Sequence, residues 1–188
     1  MSMPTIKRWE FEQFPCGEIY SQRIDFSVDD HRFFMIFTPV ICDDVMYLRN
    51  RESQVGFKIP EHSYYIKFDR VENFESGQFY APPAAGYSFM GLDKLARLGI
   101  GLCRLIEFHR SLTGAQVYFV SAENLRLKHF YDRLAKKYAV ELNYSVNTGL
   151  GDEGLDYAIK TAEYRQQNQR AESRGYAQAQ AGLRTRSS

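Results

Sequence analysis

The hydrophobic pattern in the first half of the chain is typical mainly of β-strands. The segments 18–28 (EIYSQRIDFSV) and 32–39 (RFFMIFTP) are rich in β-branched and aromatic residues, and the DDH sequence between them has turn character. We therefore predict a hairpin here. A second strand pair is predicted at 54–59 and 62–69.

Two other segments of the first half depart from the strand pattern. Apolar residues in 40–50 fall near one helical face, which predicts a short helix. The segment 77–86 is expected to be at least partly a loop, because its two adjacent prolines remove two backbone donors and fix two φ angles.

After residue 86 the pattern alternates between strands and helices. One helix has apolar residues at i, i+3, i+4 spacing, and the strand after it is nearly continuous in apolar residues, as in strands buried on both faces. In chain order, the predicted elements are a strand over 86–92, a helix over 101–112, a strand over 115–122, a helix over 124–140, and strands over 140–146 and 155–161.

This order of elements defines the expected fold class. A β-α-β-α segment requires crossover connections and some parallel pairing, so we predict an α/β or α+β fold with a mixed sheet. At 188 residues the chain suits one domain, which we assign to 1–162. Its halves are 1–85 and 86–162. Residues 163–188 contain almost no large apolar residues, so we predict a disordered polar tail.

Charge and composition limit the functional classes. A net charge of +1 argues against a protein whose whole surface binds nucleic acid, but it is compatible with a local basic patch that does so. No apolar run approaches the roughly 20 residues of a membrane span, and the first residues lack the apolar core of a signal peptide. We expect no membrane partner and a cytoplasmic location. Three widely spaced cysteines without a CxxC pair argue against structural zinc, and we predict no metal site.

The segment 96–102 (ARLGIGL) has two interpretations. If it is a loop between a strand and a helix, Gly99 and Gly101 let the backbone approach a phosphate at the positive end of the helix dipole. If it is part of one long helix, the two glycines are merely tolerated, although each costs about 1 kcal/mol relative to alanine. We adopt the loop.

The order of these motifs resembles the GNAT superfamily of N-acetyltransferases. The stretch ARLGIGLCRLIEFHR is similar to that family's Arg/Gln-x-x-Gly-x-Gly/Ala loop and helix. The stretch AQVYFVSAENLRLKHFYDRLAKKY is similar to its strand, asparagine and FYxRLGF helix. The glycine-rich hairpin after it fits the family's last two strands. The resemblance covers about residues 86–161.

The resemblance implies a mixed, mostly antiparallel central sheet flanked by helices, and acetyl-CoA or another acyl-CoA as co-substrate. Asn124 would contact the pantetheine arm. Tyr131 would be the catalytic general acid toward the departing thiolate, with Phe130 in the core. The amides that would bind the pyrophosphate are those of Ala96, Arg97, Leu98, Gly99, Ile100 and Gly101.

The sequence departs from the family pattern in three places. Ala96 stands where the family has Arg or Gln, the helix lacks the glycine of FYxRLGF, and the strand predicted at 86–92 carries no carboxylate. The alternative for Tyr131 is a core aromatic with its hydroxyl at the surface. The general base is open among four residues, namely Asp69, His62, Glu75 and Glu123.

Two functions follow. The first is an acyl-CoA-dependent N-acyltransferase whose acceptor amine could belong to a small molecule, a protein, a charged tRNA or a nucleobase. The second is a catalytically inactive module of the same fold that binds protein or nucleic acid through the basic helix and the Arg-rich tail. The basic residues in question are Arg126, Lys128, Arg133, Lys136 and Lys137. A homodimer is also open.

Overall fold

The computed structural model describes residue 6, residues 10–82 and residues 91–170. These residues form a mixed α/β structure around a sheet of seven mostly antiparallel strands, as the sequence predicts. The strands are β1 (Glu12–Cys16), β2 (Ile19–Val28), β3 (His31–Pro39), β4 (Ser63–Arg70), β5 (Val117–Ser121), β6 (Ser145–Leu150) and β7 (Asp156–Lys160). Their order across the sheet is β1-β2-β3-β4-β5-β7-β6.

Four α-helices connect these strands. They are α1 (Val45–Val55), α2 (Val71–Ser76), α3 (Leu92–Thr113) and α4 (Leu125–Tyr138). A 3-10 turn at Val40–Cys42 precedes α1, so the short helix predicted at 40–50 begins later and extends further.

The β2–β3 hairpin is confirmed, with its tip at Asp29, which has a φ of 53°. The strand predicted at 54–59 is wrong. Its first residues complete α1, and Gly56 then ends that helix in the left-handed conformation (φ 73°). The strand predicted at 62–69 is confirmed as β4 (Ser63–Arg70), which pairs antiparallel with β3.

Strands β4 and β5 run parallel, with Ser63 opposite Val117, and theirs is the one parallel pairing in the described part of the chain. Helix α3 is the crossover that this pairing requires. Strand β5 is buried on both faces, as predicted: Val117 and Phe119 lie on one face and Tyr118 on the other. The strand predicted at 140–146 begins only at Ser145, because the chain turns after α4 at Asn143, with φ 57°.

The two faces of the sheet carry separate cores. Helices α3 and α4 cover the larger one, which includes Phe26, Phe37 and Leu105. Within it His109 of α3 is fully buried, stacks on Phe37 at 3.9 Å between ring centroids, and bonds to Gln22 through Nε2 and to Tyr118 through Nδ1, both at 2.8 Å. Helix α1 covers the smaller core on the opposite face.

The first part of the expected polar tail is ordered instead. Residues 162–170 are helical, Glu163 pairs with Arg110 of α3, and Tyr164 packs edge-on against Phe57 at 5.5 Å between ring centroids. These contacts stabilise the helical conformation of a segment that sequence alone assigns to disorder. The rest of the predicted tail lies outside the described residues. None of the helices described is both long and apolar enough to cross a membrane.

Candidate functional site

Helix α3 corrects the main sequence prediction about the site. The six residues expected to form a phosphate loop, Ala96 to Gly101, lie inside a continuous helix of 22 residues. In an α-helix the amides beyond the first turn bond to carbonyl groups four residues earlier, so the amides of Gly99 and Gly101 cannot receive a pyrophosphate. The other interpretation, one long helix, is right. The strand predicted at 86–92 falls mainly outside the described residues, and Leu92 belongs to α3.

Gly99 has a packing role. A Cβ atom placed on it would lie 2.4 Å from Cδ2 of Leu134 on α4. Because real Cβ atoms do not approach other atoms this closely, Gly99 allows α3 and α4 to pack against each other at this point. The contact with Leu134 offsets the cost of a glycine in the helix interior.

An open cleft of about 350 Å³ lies at the carboxyl ends of the parallel strands β4 and β5. We call it the charged cleft. Its walls come from the end of β4, the loop after α2, the first turns of α3 and the first turns of α4. The polar side chains that line it are Asp69, Arg70, Tyr80, Asn124, Arg126 and Arg133.

Two helices begin beside this cleft. Asn124 is the N-cap of α4, and its Oδ1 accepts from the amide of Leu127 at 3.0 Å. Gly91 begins α3 without a side-chain cap. Helix N-termini carry partial positive charge, so the cleft favours anions. The sequence predicted a ligand contact for Asn124, and the structure places it on the cleft wall with its oxygen committed to the cap.

Tyr131 lies on α4 beyond the cleft, and it is partly buried against the main core. Its ring packs edge-on against Tyr157 at 5.8 Å and lies 6.2 Å from the ring of Phe68, centroid to centroid. Burial raises the pKa of the Tyr131 hydroxyl, and the nearby Tyr80, Tyr157, Glu123 and Asp69 raise it further. The hydroxyl therefore stays protonated at neutral pH and can act as a donor. Phe130 is in the core, as expected.

Asp69 anchors the loop that forms one wall of the cleft. Its carboxylate accepts from the amides of Arg70 (2.8 Å) and Tyr80 (2.6 Å) and from Nδ2 of Asn73 (2.7 Å). Tyr80 is held at φ 58°, a conformation that non-glycine residues seldom adopt and that is often found at functional sites. Sequence reasoning missed Tyr80, since nothing in its neighbourhood signals a positive φ.

The four candidates for a general base lie in different places. His62 is exposed at the start of β4, eight residues and therefore roughly 25 Å from the cleft end of that strand. Glu75 is exposed on α2, 4.0 Å from Arg32. Asp69 already accepts three hydrogen bonds that hold the loop. Glu123 is exposed directly after β5 and lies close enough to Tyr131 to raise its pKa.

A second space of about 100 Å³, the apolar cavity, lies deeper between the sheet and the helices. Phe68 lines both the cleft and the cavity, and the adjacent residues Phe130 and Tyr131 line one each, so the two spaces adjoin there. The lining of the apolar cavity consists of aliphatic and aromatic side chains, and includes Ile66, Leu102, Ile106, Val120, Leu134, Ala135 and Ile159. No residue pattern in the sequence predicted this cavity.

The described residues contain no group of three or more metal-ligating side chains. The adjacent carboxylates Asp43 and Asp44 both have partners within the protein: Asp44 is the N-cap of α1 (2.7 Å to the amide of Met46), and Asp43 accepts from the Tyr65 hydroxyl at 2.5 Å. Comparison with protein-family models gives no match, and comparison with curated proteins gives none either.

Proposed function

We propose that the protein is an acyl-CoA-dependent N-acyltransferase whose donor lies along α4. The observation that carries the proposal is the arrangement of side chains on this helix. Asn124, Arg126 and Arg133 line the charged cleft, while Tyr131 and the apolar residues of the later turns line the adjoining cavity. This arrangement matches a donor with an anionic end, a thioester and an acyl group.

The position of the cleft supports this assignment. Ligands of α/β sheets bind beyond the carboxyl ends of parallel strands, where helix N-termini point toward them. Arg126 and Arg133 add positive charge at this edge. The phosphate contacts expected at 96–101 are reassigned to these arginines and to the first amides of α3. Because Asp93 lies in that first turn, the arginines carry most of the attraction.

The chemistry would be direct transfer. The acceptor nitrogen attacks the thioester carbonyl, the C–N bond forms, and the C–S bond breaks. Tyr131 donates its hydrogen bond, and then its proton, to the leaving sulfur, and regains a proton from solvent. With its raised pKa, the phenol acts mainly by stabilising charge on sulfur through the hydrogen bond. Glu123 is the best-placed of the four candidates to accept the proton of the amine.

Calorimetric titration with CoA and acetyl-CoA tests the proposal. Wild-type protein should bind both. Arg133→Ala should weaken binding roughly 10–100-fold, the value of a charge-assisted hydrogen bond of about 1.5–3 kcal/mol. Lys137→Ala is the matched control, because Lys137 is an exposed cation of the same helix that does not line the cleft. No CoA binding, or equal losses in both variants, would overturn the proposal.

The second candidate is a binding module for nucleic acid. The observation that favours it is the helical structure of 96–101, which removes the expected phosphate loop, together with exposed cations on α4 (Arg126, Arg133, Lys136 and Lys137). In that case Lys137→Ala should weaken binding to a single-stranded oligonucleotide and reduce its salt dependence. Lys137→Ala therefore distinguishes the two candidates. The acyltransferase proposal expects the variant to bind CoA as the wild type does, whereas the nucleic-acid proposal expects it to bind the oligonucleotide more weakly.

A further inference from the structure

The apolar cavity has the features of a binding site. Protein interiors are close-packed, and voids larger than a water molecule are few. This one lies between α3, α4 and five strands, is partly open to solvent, and has a surface made almost entirely of apolar atoms. An apolar lining of this kind favours apolar groups.

The cavity adjoins the charged cleft at Phe68, which lines both. On α3 the cleft is lined by Leu95 and Leu98 and the cavity by Leu102 and Ile106. On α4 the cleft is lined by Asn124, Arg126 and Arg133 and the cavity by Tyr131, Ala135 and Ala139. A ligand with its anionic end in the cleft would therefore enter the cavity beside Phe68 and Tyr131.

We infer that the apolar cavity receives the acyl chain of the donor, so that the protein takes a short-chain acyl-CoA in preference to acetyl-CoA. The inference rests on the proposed function and names its substrate class. A volume of about 100 Å³ is well above the roughly 10–15 Å³ of such space that holds one water molecule. The cavity therefore has room for a short acyl chain, of which a butanoyl group is an example.

Cys103 also lines the cavity, so a thiol would lie beside the bound chain. Burial raises the pKa of this thiol to about 12, and Glu141 and Glu107 contribute to the shift. The thiolate is the nucleophilic form of cysteine, and this shift disfavours it. The burial of Cys103 is therefore consistent with direct transfer to the acceptor amine.

Calorimetry with CoA, acetyl-CoA, butanoyl-CoA and octanoyl-CoA tests the inference. Affinity should rise about fourfold for each methylene that enters the cavity, hence roughly 15-fold from acetyl to butanoyl, and should not rise further for octanoyl. Ala135→Leu fills the cavity and should abolish the gain while CoA itself binds as before. Leu134→Ala enlarges the cavity and should extend the gain to longer chains.

The outcomes separate the two proposals. Equal affinity for acetyl-CoA and butanoyl-CoA in wild-type protein, with CoA bound, would overturn the acyl pocket and leave the acyltransferase proposal standing. An unchanged chain-length preference in both folded variants would also overturn the pocket. Failure of every CoA species to bind would overturn the proposed function, and the acyl pocket with it.

Discussion

Helices α3 and α4 form the two walls of the same groove, but they are built differently. Helix α3 is a core element: over 22 residues it buries Leu98, Gly99, Gly101, Leu102, Leu105 and His109. Helix α4, with 14 residues, buries only Phe130 and exposes four cations. The sequence was interpreted as a phosphate loop at 96–101, and the structure instead places these residues inside α3, where their amides bond within the helix.

This difference in burial between α3 and α4 separates residues that determine stability from residues that can contact a ligand. On α3 a substitution changes packing and therefore the stability of the whole domain. On α4 the side chains toward the groove are held by a few aromatic contacts, so a substitution there can change ligand binding or turnover and leave the fold intact. The variants that follow test this division.

The largest effect is expected for Gly99→Glu. A carboxylate at this buried position, directly against Leu134, loses its hydration without gaining a partner, so the free energy of unfolding should fall by at least about 4 kcal/mol. Urea denaturation followed by circular dichroism measures this. If 96–101 were a loop, the same variant would stay folded and lose only CoA binding.

Gly91→Glu is the control for that experiment. Gly91 is exposed and has no atom within 4 Å of an added Cβ, so its substitution should change the free energy of unfolding by at most about 1 kcal/mol. A stable Gly99→Glu protein would show that α3 is not the rigid wall of the groove.

Tyr131→Phe should have a large effect on turnover and a small one on stability. The ring contacts with Phe68 and Tyr157 are kept, and only the hydroxyl is lost. On the proposed function, turnover should fall roughly 10²–10⁴-fold with acyl-CoA affinity nearly unchanged. The free energy of unfolding should change by about 1 kcal/mol or less. Hydrolysis of acyl-CoA to free CoA serves as the assay until an acceptor amine is known. Turnover equal to that of the wild type would make Tyr131 a core aromatic.

The burial of His109 on α3 should make the stability of the folded protein depend on pH. Burial lowers its pKa from 6.5 to about 3 in the folded protein. Below pH 6.5 the unfolded chain therefore binds a proton that the folded protein excludes. The stability from this site is fully present above pH 6.5 and falls by about 1.4 kcal/mol per pH unit as the pH drops toward 3.

Urea denaturation between pH 7.5 and 4 measures the slope, and His109→Gln is the comparison. Glutamine retains polar groups for Gln22 and Tyr118 but does not titrate. The stability of the His109→Gln protein should therefore fall less steeply with decreasing pH, by the contribution of one proton, which is about 1.4 kcal/mol per pH unit. Parallel curves for the two proteins would mean that His109 is protonated inside the core.

Much of the fold could be predicted from the sequence because its signals are local. The β2–β3 hairpin, strand β5 and helix α4 each have a periodic or continuous apolar pattern and end at turn residues or at a cap. The strand predicted at 54–59 failed for an equally local reason. Phe57 and Ile59 are apolar because they pack on the α1 face of the sheet, not because they form a strand.

The groove could be predicted only in part, since its signals are not local. Helix propensity disfavours glycine at 99, and the contact that compensates comes from Leu134, 35 positions later. The positive φ of Tyr80 is stabilised by the hydrogen bond from its amide to Asp69. No turn motif in the sequence predicts this bond. Tyr131 and Asn124 were found through motif resemblance, which places residues without giving their contacts.

The smallest effect concerns Asn124, where two roles can be separated. Asn124→Ala removes the cap of α4 and should lower the free energy of unfolding by about 1 kcal/mol. Asn124→Asp keeps an oxygen for the amide of Leu127 and adds a negative charge at the positive end of the helix, so stability should be kept or slightly raised.

A role of Asn124 in ligand binding predicts a different result for the same two variants. If the side-chain amide also contacts the donor, both variants should weaken acyl-CoA binding, and the aspartate more strongly because it repels the phosphates at the cleft. If Asn124 is only a cap, the alanine variant should bind acyl-CoA as the wild type does, and the aspartate variant should bind it more weakly through its charge alone. Thermal denaturation and calorimetry on the same two proteins distinguish these outcomes. Equal stability of all three proteins would show that α4 does not depend on its cap.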